Sequence, residues 1–223
     1  MGRALSLAVA DAFAPTARRI LLLTIAGTIA LLVALWLGAS LLIATLHLTG
    51  WHWLNIAIDI LGSVAALFVA WLMFPTMAIL ILGFFLERII AAIEARHYPD
   101  LPPPRAIGIG QSIASAVRLA LLALVLNLLV LPLYLFLPVA NVVLFFAING
   151  YLVGREYFEA VACRRLDHGA VQAMWRRQRA RLVVAGAVIA LLLSIPIVNL
   201  AAPLIGVAFM LHLFERFRRA PTA

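Results

Sequence analysis

The sequence predicts an all-α integral membrane protein, and three observations carry that prediction. Hydrophobic residues make up 66% of the 223-residue chain and charged residues only 12%, a balance that a soluble domain of this size does not show. Runs such as 20–46 and 60–86 are almost free of charge and are long enough to span hydrocarbon, which takes about 20 residues. All 17 basic residues are arginine, and none lies between positions 20 and 87.

The first predicted transmembrane helix covers residues 20–47. Arg3, Arg18 and Arg19 precede it, and the positive-inside rule therefore puts the N-terminus in the cytoplasm. The apolar run is far longer than the roughly 7–15 residues of a signal-peptide core, so we interpret it as a permanent span. The loop 47–53, "HLTGWHW", has no Lys or Arg and contains two tryptophans, as expected at the outer interface.

The second predicted transmembrane helix covers residues 54–86 and returns the chain to the cytoplasm. The segment 87–118 follows as a cytoplasmic amphipathic segment, because "ERIIAAIEAR" places its charged residues opposite its isoleucines. The proline-rich stretch 99–104 ends this helix, since proline does not continue the helical hydrogen-bond ladder.

Two further apolar blocks are predicted to form helical hairpins, at 119–158 and 182–215, separated by a cytoplasmic basic helix at 159–181. Arginines flank both ends of each block, so each block crosses the bilayer twice or turns back within it. Segment 182–194 covers only about 20 Å as a helix, against about 30 Å of hydrocarbon, which favours hairpins that penetrate half-way. Two full crossings remain the alternative. The predicted turn residues are Pro132, Pro138, Asn141, Pro196 and Asn199.

The motif inventory argues against an enzyme. HExxH, GxxxxGK[ST] and GxSxG are all absent, and the single cysteine, Cys163, excludes an intrachain disulfide and a CxxC motif. His47 and His52 make a weak metal pattern, and we expect neither a metal nor a cofactor. Nucleic-acid binding is not expected, because the arginines flank apolar segments and leave no soluble domain to carry them.

Three carboxylates are candidates for coupling a proton or a charge to transport. Asp59 stands alone in apolar surroundings near the outer end of the second span, and Glu87 and Glu94 are seven residues apart on one predicted helix face. The alternative is that Asp59 is hydrated at the interface and that the two glutamates belong to a solvated or salt-bridged polar face.

The start of the first transmembrane helix, "PTARRI" (15–20), is a candidate anion site. Proline and threonine favour a helix start, which leaves the amides of Thr16, Ala17 and Arg18 as free donors at the positive end of the helix dipole. The guanidinium groups of Arg18 and Arg19 follow at once, and arginine forks suit a tetrahedral oxyanion. A plain cytoplasmic anchor is the other interpretation of the same residues.

Four stretches resemble the CysZ sulfate permeases, a family of small bacterial inner-membrane proteins. They are "PTARRI" (15–20), "IIAAIEARHYPDLPPP" (89–104), "AINGYLVGREYFEAVACRR" (147–165) and "SIPIVNLAAPLIGVAFM" (194–210). The resemblance implies proton-dependent sulfate uptake for cysteine synthesis, two long membrane helices, two partly penetrating hairpins and homo-oligomeric assembly. It also implies that sulfate contacts Thr16, Ala17, Arg18 and Arg19.

One residue departs from the family pattern, because Thr16 stands where those permeases have glycine. Its side chain either crowds the approach of an anion to the backbone or adds a hydroxyl donor. The expected function is a sulfate or related oxyanion transporter or channel in the bacterial inner membrane, with both termini cytoplasmic. A non-transporting membrane scaffold, whose arginines hold anionic lipid headgroups, is the competing hypothesis.

Overall fold

A computed structural model describes residues 1–45, 51–105, 109–136, 141–195 and 198–219. Those ranges contain helices and connecting turns and no strand, which confirms the predicted all-α class. The helices are α1 (Gly2–Ala12), α2 (Pro15–Thr45), α3 (His52–His97), α4 (Ile109–Phe136), α5 (Asn141–Ala162), α6 (His168–Leu193) and α7 (Ala202–Arg219), with a short 3-10 turn at Val198–Leu200.

Three helical segments are long and apolar enough to cross a membrane: Pro15–Ile43, His52–Phe74 and Thr76–His97. The second and third are consecutive parts of α3, whose 46 residues correspond to about 70 Å of helix. Since this exceeds the roughly 30 Å hydrocarbon core, part of α3 extends beyond it. Residues 87–97 of the predicted amphipathic segment 87–118 are the last part of α3, which ends at His97.

The chain divides into two compact units, one comprising Met1–Ala17 with Leu86–Ala223 and the other Arg18–Phe85. In the second unit, Trp36 Nε1 donates to the Ser63 carbonyl and Ser63 Oγ donates to Ser40 Oγ, both at 3.0 Å. Hydrogen bonds of this kind hold helices together where the surroundings are apolar. Many large apolar side chains of this unit are exposed, including Leu41, Leu61 and Trp71, as expected of surfaces that face lipid.

The core of the first unit is built around α7. Every residue from Ala202 to Glu215 is buried, and α7 packs against α1, α5 and α6. The ring of Phe214 lies 6.3 Å from that of Phe158 on α5. A helix that is apolar on all sides is expected to be enclosed by its neighbours, and α7 has this position.

Helices α5 and α6 cross with their backbones in direct contact at glycine. A Cβ atom at Gly186 would lie 2.6 Å from Gly154 Cα and would overlap the carbonyl oxygen of Gly150. Gly150 and Gly154 are four residues apart and share one face of α5, the small-xxx-small pattern of tightly packed membrane helices. The crossing therefore depends on the absence of side chains at these positions.

The predicted hairpin turns lie partly outside the described residues, which include neither Pro138 nor Pro196. Pro132 lies inside α4, Asn141 begins α5, and Asn199 lies in the 3-10 turn that joins α6 to α7. How deeply each hairpin enters the bilayer stays a prediction.

The carboxylate of Asp11 connects three helices of the first unit. It lies 2.8 Å from His97 Nε2 at the end of α3 and 2.9 Å from His212 Nε2 on α7. The Tyr98 hydroxyl lies 2.8 Å from His212 Nδ1. Because Asp11 accepts from Nε2, the neutral His212 ring carries its proton there and accepts from Tyr98 at Nδ1.

Burial lowers the pKa of His212, although its hydrogen bond to Asp11 acts in the opposite direction. The pKa of Tyr98 is raised, first by burial and then by the charge of Glu215. Both groups are therefore held in their neutral forms at pH 7, which matches the hydrogen-bond pattern.

We predict that acidification destabilises the protein through His212. Because its pKa is lower in the folded state, the unfolded chain binds more protons once the pH falls below the unfolded histidine pKa of about 6.5. The thermal unfolding midpoint in detergent should therefore decrease between pH 7.5 and pH 5.5, and this decrease should be smaller in His212→Gln. The exposed His168 supplies the control, His168→Gln. An unchanged acid response in His212→Gln would contradict the assignment.

We predict that Gly186→Ala separates α5 from α6 and lowers the free energy of unfolding by roughly 1–3 kcal/mol, the usual cost of overpacking. Gly169→Ala on the same helix is the matched control, because a Cβ there would meet only Asp167 Oδ1 at 3.6 Å. Thermal unfolding followed by circular dichroism measures both variants. Equal unfolding midpoints for the two would show that the crossing tolerates a methyl group.

Candidate functional site

A cavity of about 300 Å³ lies at the start of α2, within the first unit. The end of α1, the first residues of α2 and the last turns of α3 form its walls. The lining residues are Asp11, Ala14, Pro15, Thr16, Ala17, Ile89, Ala92, Ile93 and Arg96. The cavity thus includes two of the four residues predicted to bind an anion.

The local sequence explains why unpaired backbone donors are expected at the start of α2, beside this cavity. Helix α1 ends at Ala12, the Ala14 amide donates to the Asp11 carbonyl at 3.1 Å, and α2 begins at Pro15. The first four N–H groups of a helix have no intrahelical acceptor. Proline has no backbone N–H group, so Pro15 adds no unpaired donor of its own. The first turn of α2 therefore presents amide donors at the positive end of its dipole.

The charges on the cavity wall balance each other. Arg96 Nη1 lies 3.5 Å from Asp11 Oδ1, and the Arg96 side chain is 57% exposed whereas that of Asp11 is 2% exposed. The next two residues of α2, Arg18 and Arg19, are not among the residues that line the cavity. Arg18 and Arg19 are both exposed, and neither forms an ion pair with any residue that the structure describes.

The apolar side of the cavity is formed by α3. Ile89 and Ile93 are 2% and 6% exposed, and Ala92 lies between them. These side chains keep water away from one side of the cavity, which strengthens electrostatic interactions there. A polar backbone edge opposite an apolar wall is the usual composition of a small-molecule site.

The three carboxylates proposed for coupling have different environments. Glu94 is buried, and its Oε2 lies 2.8 Å from Arg165 Nη2 and 3.4 Å from Arg164 Nη2. This pairing fixes the end of α3 to the turn between α5 and α6. Glu87, two helical turns earlier, is exposed. Asp59 is half-buried on α3 within the other unit.

The sequence did not single out Asp11, Arg96, His97 and His212 as members of one cluster. Asp11 is the first acidic residue of the chain and is followed by none until Asp59, so an isolated charge on an otherwise apolar helix was the available signal. Its partners are 86 and 201 residues away, a separation that no local pattern bridges.

The same cluster meets the spacing of a metal site without needing one. Asp11, His97 and His212 offer ligand-type atoms within 4.8 Å of one another. The Nε2 atom of each histidine, however, lies at hydrogen-bonding distance from an Asp11 carboxylate oxygen, the geometry of direct donor–acceptor pairs. The weaker metal pattern in the sequence involves His47, which lies outside the described residues, and His52, which is exposed at the start of α3.

Comparison with known proteins identifies the family. No curated protein matches the chain closely enough to count as a relative. The sequence profile of the family described as "Sulfate transporter CysZ/Etoposide-induced protein 2.4" matches residues 4–203. This match covers nearly all of α1 to α6 and the beginning of α7, including every residue that lines the cavity at the start of α2. The chain belongs to the sulfate transporter CysZ/etoposide-induced protein 2.4 family.

Proposed function

We propose that this membrane protein carries sulfate, or a closely similar oxyanion, across the bacterial inner membrane to supply sulfur assimilation. The observation that carries the proposal is the cavity at the first turn of α2, where backbone amides are followed by two exposed arginines without ion-pair partners in the described chain. The family's description as a sulfate transporter supports it.

The chemistry of this helix start favours a tetrahedral dianion. Free amides at a helix N-terminus and the helix dipole attract negative charge, and guanidinium forks donate two parallel hydrogen bonds to oxyanions. Thr16, Ala17, Arg18 and Arg19 are the proposed contacts. The hydroxyl of the exposed Thr16 adds a donor where the resembling permeases have glycine. A monoatomic anion such as chloride has neither the charge nor the geometry to use all of these donors.

The arginine distribution supports a cytoplasmic position for this site and for both termini. Of the proposed coupling carboxylates, Glu94 forms ion pairs with Arg164 and Arg165, whereas Glu87 is exposed. Asp59 lies on the part of α3 that the sequence places near the outer interface. We propose a homo-oligomeric assembly in the bilayer and no enzymatic activity or nucleic-acid partner.

The main prediction is that reconstituted protein admits radiolabelled sulfate into liposomes and that Arg18→Ala/Arg19→Ala abolishes the uptake. The double variant removes both guanidinium donors while leaving the helix start in place. Arg3→Gln/Arg181→Gln removes the same charge from exposed positions outside the cavity and should transport like the wild type. Uptake unchanged in Arg18→Ala/Arg19→Ala would reject the site, and absence of uptake in the wild type would favour the scaffold hypothesis.

A second prediction concerns Arg96, which lines the cavity on α3. Arg96→Gln removes a positive charge that partly offsets Asp11, so sulfate binding to the purified protein should weaken by about threefold to tenfold, the range for a partly solvated charged contact. Arg216→Gln, which removes the same charge from an exposed position outside the cavity, is the control. Calorimetric titration with sulfate, and with chloride, phosphate and molybdate for comparison, measures the effect. Equal affinities in wild type and Arg96→Gln would remove Arg96 from the site.

A further inference from the structure

A second charged cavity, of about 220 Å³, lies between α4, α5 and α6. We name it the arginine pocket after the four arginines on its wall, Arg118, Arg155, Arg176 and Arg179. Glu159 is the one carboxylate among its described lining residues. The pocket shares no residue with the cavity at the start of α2.

The carboxylate of Glu159 is already neutralised. It forms an ion pair with Arg155, whose buried guanidinium also lies 5.0 Å from the ring centre of Trp175. The remaining three arginines form no ion pair with any other described part of the chain. The arginine pocket therefore presents three positive charges without a paired carboxylate, one of which, Arg179, lies 5.4 Å from the ring centre of Tyr151.

Gln172 supplies a further unused donor on the same wall. Its Nε2 atom is buried and has no acceptor among the described residues. Leaving a buried amide donor without an acceptor is costly, and an oxygen atom of a ligand in the pocket would remove that cost. Together, the three exposed arginines and this amide favour an occupant that is anionic and rich in acceptor oxygens.

A larger groove of about 840 Å³ continues from the arginine pocket. The two share Leu122, Tyr151, Arg176 and Arg179. The remaining wall of the groove is largely apolar and includes Leu126, Ile148, Ala180 and Val183. A free inorganic anion would occupy the pocket and leave this apolar groove unfilled, whereas a molecule with a charged group and a hydrocarbon chain matches both.

We propose that the arginine pocket and its groove bind one anionic phospholipid. The phosphate accepts from the guanidinium groups of Arg118, Arg176 and Arg179 and from the Gln172 amide, because arginine forks match phosphate oxygens. An acyl chain lies along the groove. Headgroups with an ammonium group are disfavoured, because Glu159, the one carboxylate among the described lining residues, is engaged by Arg155. Arginines beside predicted membrane segments attract the anionic cytoplasmic leaflet in any case, and this pocket gives that attraction a defined site.

Native mass spectrometry of the full chain in nonionic detergent tests the proposal. The protein is titrated with phosphatidylglycerol and with phosphatidylcholine of identical acyl chains. We expect phosphatidylglycerol to bind at least about tenfold more tightly, and Arg176→Gln/Arg179→Gln to lose at least about tenfold of that affinity, since each arginine near a lipid phosphate contributes appreciably. Arg3→Gln/Arg181→Gln removes equal charge outside both cavities and should bind like the wild type.

Two further arms separate the possible sources of the phosphate group. Ala180→Trp fills the groove without removing charge and should weaken phosphatidylglycerol binding while leaving the thermal unfolding midpoint unchanged. Inorganic phosphate at the same concentration should not displace the lipid. Displacement by inorganic phosphate, or equal binding of both lipids, would overturn the lipid site. Unchanged phosphatidylglycerol affinity in Arg176→Gln/Arg179→Gln or in Ala180→Trp would overturn it as well.

Discussion

The buried carboxylate of Asp11 is the constraint on which the first unit depends. A carboxylate that is 2% exposed is unfavourable in a protein interior unless its charge and its lone pairs are matched. Asp11 meets this condition only when α1, the end of α3 and α7 are all in place, because its donors come from His97, His212 and Arg96. The same requirement fixes the α1–α2 junction, and so the position of the helix start that we propose as the anion site.

The fold class and the start of α2 could be predicted from the sequence. The side-chain clusters and cavities around that helix start could not. Hydropathy and the gap in the arginines predicted membrane helices, and Pro15 predicted where α2 begins, because both signals are local. The continuity of α3 through residues 87–97 was not anticipated, since the change from apolar to amphipathic composition suggested a boundary. The Asp11 cluster and the arginine pocket join residues from distant helices, and only tertiary packing brings them together.

The cavity at the start of α2 and the arginine pocket differ in how far their charged side chains are paired. At the start of α2, Asp11 and Arg96 balance each other, so attraction for an anion rests on the backbone amides together with Arg18 and Arg19. In the arginine pocket, Glu159 compensates only Arg155, and three arginines remain. If the two proposals hold, the paired charges at α2 suit an anion that must leave again, and the unpaired arginines between α4, α5 and α6 suit a lipid that stays.

The glycine contact between α5 and α6 restricts how this protein can change shape. With the carbonyl of Gly150 directly against Gly186, no layer of side chains remains between the two backbones that rotamer changes could rearrange. Sliding or rolling of one helix over the other would bring main-chain atoms into steric overlap. We therefore expect α5 and α6 to move together as one rigid pair. A conformational change of this protein is therefore expected to leave the α5–α6 contact intact and to consist of movements of other helices.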